Sequence, residues 1–192
     1  KLTRETIMTD TMNDEALHEA ISLSGQLPLS YSTYSQALSE AELLNLNERN
    51  LMLLNAIEVA EVQRYISDAD SDDGVQVELL RLEAKVDLLL SLMNQLLSQH
   101  NELPQPSTVS LSAMALNWQS GAIKASVGDY LVVDLHVHNA VAMPLRLPLR
   151  AINSERGELY GLSSLTQNAL DKFLFRQHRR AIAVSRQARS DA

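Results

Sequence analysis

Between Val75 and Leu97 the chain repeats apolar residues at alternating steps of four and three: Val75, Leu79, Leu82, Val86, Leu89, Met93 and Leu96. This is a heptad seam with Leu79, Val86 and Met93 at a, and a helix that carries it needs another helix along its length. Leu90 and Leu97 fall at e and Leu92 at g, positions that usually carry charge in a two-stranded coil, so the apolar stripe is wider than one partner covers. Three or four strands are favoured over two. The stretch therefore predicts assembly.

Charge divides the chain on either side of this helix. Residues 1–100 hold 6 Lys/Arg and 17 Asp/Glu, a balance of -11, whereas 101–192 hold 10 and 7, a balance of +3. The acidic half argues against nucleic-acid binding there, because phosphates have to be met by cations. Cysteine is absent, which removes disulfides, thiolate nucleophiles and cysteine-ligated zinc. No window approaches the roughly eighteen apolar residues of a membrane span, and no export signal is visible, so a cytoplasmic location with no membrane partner is expected.

In chain order, residues 1–35 read as an N-terminal arm with a short helix over Glu15–Ile21 and an extended piece, Gln26–Tyr31, which Pro28 restricts to an edge strand or extended arm able to pair with a later sheet. Residues 36–100 read as a helical oligomerisation region. Its first helix runs to Ile66, with Leu44, Leu51, Leu54, Ile57 and Val62 on one buried face. Asp68, Asp70 and Asp72 have the opening spacing of a calcium loop, but Asp73 stands where glycine is needed and Leu79 where glutamate closes the site. A capping linker before the next helix is the simpler reading.

Two prolines, Pro104 and Pro106, end the helical half, and the period changes from 3.6 to 2. Residues 101–192 read as a second region. Thr108–Trp118 is expected as one strand and Tyr130–His138 as another, with Leu131, Val133, Leu135 and Val137 inward. Two more strands, Leu145–Ile152 and Glu158–Leu162, flank a turn at Glu155–Gly157. Four or five strands suggest a small antiparallel barrel. Leu165 to about Arg186 closes the chain as an amphipathic helix, with Leu170, Phe173, Leu174 and Ile182 on the barrel side.

This order of elements resembles a PilZ domain. The resemblance is carried by Val109-Ser-Leu-Ser112, by the Gly128-Asp129 turn before Leu-Val-Val-Asp-Leu135, by Pro144-Leu-Arg-Leu147 and by Asp171–Arg180. The heptad helix before the barrel resembles an atypical, tetramer-forming branch of that family. The resemblance implies an α+β chain: a small antiparallel PilZ-like barrel with a C-terminal helix, plus a long helix forming a parallel four-stranded coil. Family members that bind cyclic di-GMP use an Arg-x-x-x-Arg element and an Asp/Asn-x-Ser-x-x-Gly element. Paired guanidiniums take phosphates bidentately and stack on guanine, and glycine lets the base approach the backbone. Here the second element reads Ser110, Ser112 and Ala115, and no Arg or Lys lies between His100 and Ser112. The usual counter-charges are missing.

Other constellations are weaker. Asp134, His136 and His138 share a strand face but have no fourth metal ligand. Arg176, Arg179, Arg180, Arg186 and Arg189 make the last helix basic, which suits a solvated face, an acidic partner, RNA or the acidic helical half of a neighbouring subunit. No glycine-flanked serine elbow or phosphate-cradling loop exists. The expectation is a non-enzymatic adaptor without cofactor or metal: a homo-oligomer, most often a tetramer, that displays barrels to protein partners in bacterial cyclic di-GMP-related signalling, motility, pilus function or virulence. The alternative is a cyclic di-GMP receptor that draws arginines from elsewhere, such as Arg146, Arg150 or Arg176.

Overall fold

Alternating apolar residues produce strands whose inner faces have to meet, and here they meet in a ring. The computed structural model describes residues 21–66, 104–138, 141 and 143–190, together with Leu82 and Val86. The strands are β1 (Leu23–Tyr34), β2 (Pro106–Leu111), β3 (Ala115–Trp118), β4 (Tyr130–Leu135), β5 (Leu145–Ala151) and β6 (Arg156–Leu159). They close a six-stranded antiparallel barrel in the order β1-β2-β3-β6-β5-β4. Closure removes the open edges that would otherwise template aggregation. Helix α1 (Glu40–Ile66) and helix α2 (Ser164–Ser190) pack outside it.

The stretch expected as an edge strand or extended arm does pair with the later strands, as one long strand shared between two neighbours. β1 pairs β2 through Leu23–Pro28 and β4 through Leu29–Tyr34. Pro28 sits at the changeover, where its missing N–H breaks no ladder on the β4 side, and its carbonyl still accepts from His136 N at 3.1 Å. The single strand expected over Thr108–Trp118 is two. Ser112 N donates to Ala115 O at 2.9 Å, closing a tight hairpin between β2 and β3. The barrel therefore has six strands where four or five were expected.

Leu131, Val133 and Leu135 face inward as expected and are fully buried. Val137 is half-buried against the same core. Gly157 lies under Trp118, whose ring stands 3.3 Å from where a Cβ would be, and Trp118 Nε1 donates to Ser154 O at 2.8 Å.

Ser39 and Glu42 form a capping box that starts α1 at Glu40 rather than near Gln36. Leu54 and Ile57 are buried as expected and Leu51 is half-buried. Leu44 is 62% exposed, a correction to the expected apolar face. Val62 lies outside the described side chains.

The physical reason is that α1 docks through amides as well as hydrocarbon. Asn50 Nδ2 donates to Arg146 O at 2.6 Å and its Oδ1 accepts from Arg146 N at 3.0 Å, so the side chain acts as a strand neighbour for the part of β5 that β6 does not reach. Asn47 Oδ1 accepts from Ser163 N and its Nδ2 donates to Gly161 O, both at 2.8 Å. Gly161 has φ +66 and approaches Leu43 so closely that a Cβ would lie 2.7 Å from its methyls.

Ser163 caps α2, accepting from Thr166 N at 3.2 Å. Leu170, Phe173 and Leu174 are buried as expected, while Ile182 is 38% exposed, because α2 has by then run past the barrel. Asn47 meets the start of α2, Glu58 meets Arg176 and Glu61 meets Arg180. The two helices therefore run side by side in the same direction.

Candidate functional site

Three regions bear on chemistry, and the first is the turn that carries Ser110, Ser112 and Ala115. Ser112 is buried, and its hydroxyl donates to Ala115 O and accepts from Ala115 N, both at 3.1 Å. Ser110 Oγ lies 2.8 Å from Ser24 Oγ across the β1–β2 ladder, and Ala115 is 1% exposed. These polar groups serve the hairpin, and none of the three side chains offers a cation to a phosphate.

The second region is a groove of about 400 Å³ between the first turns of α1 and the barrel wall. Leu38, Leu46, Tyr34 and Val132 supply apolar lining, and Arg49 and Arg146 line it with cations. Arg146 Nε donates to Asp134 Oδ1 at 2.8 Å. Glu42 lines the groove as well. Its Oε2 accepts from Ser39 Oγ at 2.6 Å and Ser39 N at 2.8 Å, and these bonds hold its carboxyl below the usual glutamate range.

The third is the Asp134, His136, His138 face of β4 and the residues after it. Asp134 is engaged by Arg146. No group of three or more metal-type side chains is drawn together among the described residues. Burial pushes the His136 imidazole below its ordinary value, partly offset by Asp134. Followed by NMR, His136 is expected to protonate below about 6.5. The unfolded chain then binds the proton first, so this residue's contribution to stability is lost as pH falls below about 6.5. A titration midpoint at or above that value contradicts the burial argument.

Arginines proposed as substitutes for the missing anion clamp are scattered. Arg176 NH1 lies 2.9 Å from Glu58 Oε1, and its Nε lies 3.2 Å from Glu61 Oε2 without the alignment of a hydrogen bond. Arg146 and Arg150 are four residues apart on β5, about 13 Å along the strand. Arg49, which sequence reading passed over, shares the groove with Arg146 because the neighbouring Asn50 is bonded to the Arg146 backbone. Calcium-loop residues Asp68, Asp70 and Asp72 lie outside the described residues. So does the heptad seam, apart from Leu82 and Val86, which are helical and 60% and 48% exposed.

A family model described as "Atypical PilZ domain, cyclic di-GMP receptor" matches residues 54–187. The chain belongs to the atypical PilZ family. Its six-stranded barrel and closing helix are the PilZ-like fold. Among solved structures it is similar to a pathogenic protein from Xanthomonas campestris, described as a tetrameric PilZ domain self-assembled via an unusual helical bundle. The two share 24% identity over 85% of this chain and 90% of that one, with a TM-score of 0.63. No curated protein matches the sequence. Among the described residues, no helix is long and apolar enough to cross a membrane.

Proposed function

We propose that this PilZ protein is a non-enzymatic adaptor in bacterial cyclic di-GMP-related signalling, and that it does not take the dinucleotide through the family's usual motifs. The observation that carries the reading is the turn itself: Ser112 spends both hydrogen-bonding roles of its hydroxyl on Ala115, and no Arg or Lys precedes it from residue 101 onward. A doubly charged phosphate ligand needs cations at that place. The setting, with motility, pilus function or virulence as outputs in the cytoplasm, rests on family membership.

Assembly through Val75, Leu79, Leu82, Val86, Leu89, Leu90, Met93, Leu96 and Leu97 completes the proposal, as a parallel coil of most often four chains. Exposure of Leu82 and Val86 in the single chain supports it, and so does the tetramer described for the Xanthomonas campestris relative. Several barrels on one stem raise apparent affinity for weakly held protein targets.

Light scattering is expected to give a native mass above that of a dimer, and calorimetry with cyclic di-GMP no saturable heat at high micromolar concentration. A monomer ends the assembly reading. Saturable heat favours the second reading, a receptor with a non-standard arginine set, for which the shared groove of Arg49 and Arg146 is the supporting observation.

A further inference from the structure

Helix α2 has two basic faces, and α1 covers only one of them. Toward α1, Arg176 and Arg180 are paired with Glu58 and Glu61, beside the buried Leu170, Phe173 and Leu174. On another face, Leu165, Lys172, Phe175, Arg179, Ile182 and Arg186 follow one another at steps of seven, three, four, three and four, which puts them on one stripe about 31 Å long. All six are exposed. Lys172, Arg179 and Arg186 make no ion pair among the described residues, and Arg179 lies 5.8 Å from the centre of the Phe175 ring in a cation–π contact. Asp171 is the only acid in α2, and it is turned to Gln167, whose Nε2 donates to it at 3.1 Å.

From this repeated pattern we infer that the outer stripe of α2 is a docking surface for an acidic amphipathic helix of a partner protein. The inner face shows what such a helix looks like. α1 carries five Glu against two Arg, and it seats Leu53, Leu54 and Ile57 while its carboxylates meet the α2 guanidiniums. The outer stripe offers the same two ingredients, spaced apolar side chains and cations whose stems extend the apolar surface.

The α1 helix of a second copy does not supply the occupant. The exposed line of α1, Leu44, Glu48, Met52, Asn55 and Val59, holds a single acid. An anionic bilayer is disfavoured by the net charge of -8 and by there being only three apolar side chains on the stripe. The inference deepens the adaptor reading by naming the kind of partner, and it does not depend on the number of chains in the particle.

A labelled peptide of residues 40–66, the acidic helix already shown to fit α2, is the probe, titrated with the full chain and read by fluorescence anisotropy. Saturable binding is expected, weakening by about tenfold or more as salt is raised. The pair Phe175→Ala and Arg179→Glu is expected to weaken it by at least about tenfold, whereas Lys124→Glu on a distant loop leaves it unchanged. Ile182→Asp, beyond the part of α2 that packs on the barrel, gives the same loss without touching the core.

Absence of saturable binding overturns the inference. Binding that ignores the outer-stripe variants does so too, because the peptide is then exchanging with the chain's own α1. Selective capture by phosphatidylglycerol over phosphatidylcholine vesicles, with the peptide silent, replaces it with a membrane surface. Native mass, measured in parallel, separates a failure of this surface from a failure of assembly.

Discussion

Replacing Leu82 and Leu89 with Gln is expected to reduce the native particle to single chains while the barrel stays folded. Both residues fall at d of the seam that starts at Val75, where side chains are enclosed by neighbouring helices. Leu82 is 60% exposed in the isolated chain, so what encloses it has to come from outside. Each Leu that goes from water to a packed interior contributes about 1.5–3 kcal/mol, and every chain in the assembly loses two of them. No association of micromolar strength, worth about 8 kcal/mol, survives a loss repeated in each subunit. The barrel core is carried by Leu131, Leu147, Leu149 and Phe173, which are buried within one chain. Light scattering reads the mass, and circular dichroism reads the barrel. An unchanged particle would mean that the seam is not the joint, and the adaptor reading would lose its stem.

The barrel was legible because its strands alternate. Leu131, Val133 and Leu135 are apolar at every second position, and that period has one physical outcome once a core is available. The tight Ser112–Ala115 turn was not legible, since Val109 to Trp118 has no Gly, Pro or Asn–Gly signal to interrupt it. The break comes from Ser112, whose buried hydroxyl substitutes for the usual turn residues.

Pro28 misled for a related reason. It marks an edge in an open sheet, but in this barrel β1 changes partners at that residue. The α1 face was half legible. Leu54 and Ile57 followed from periodicity, whereas Asn47 and Asn50, only 7% and 1% exposed, look like surface residues in a sequence and reveal their role only against the free part of β5 and the loop before α2.

At the candidate site, the absence of the anion clamp was visible in composition alone. Its physical counterpart, a hydroxyl already spent on its own hairpin, needed coordinates. The Ser39-x-x-Glu42 spacing was a readable signal for the start of α1. The pairing of Arg49 with Arg146 had no sequence signal, because the two stand 97 positions apart and are brought together only by the Asn50 bonds.

The same reasoning makes Glu61 the residue whose loss should hurt the α1–α2 joint most. Its side chain is 5% exposed, and its carboxylate stands 2.6 Å from Arg180 NH1 and 3.2 Å from Arg176 Nε. Gln177 Nε2 donates to it at 2.8 Å as well. Glu61→Ala removes the acid and leaves two guanidiniums facing one another.

Breaking a fully buried pair costs about 3–5 kcal/mol. Arg176 and Arg180 are 27% and 41% exposed, so water reaches them and the expected loss is nearer 2–3 kcal/mol, roughly. The melting temperature then falls by roughly 4–12 °C. Glu61→Gln keeps an acceptor for Gln177 and is expected to lose about half as much. Glu58→Ala, which among the described residues pairs with Arg176 alone and is 45% exposed on its side chain, is expected to change stability by less than about 1 kcal/mol.

A cycle of Glu61→Ala with Arg180→Ala separates the pair from the packing around it: a positive coupling identifies the ion pair as the joint. Equal stability of Glu61→Ala and the unaltered chain would show instead that Leu53, Leu54 and Ile57 hold the two helices together by packing alone.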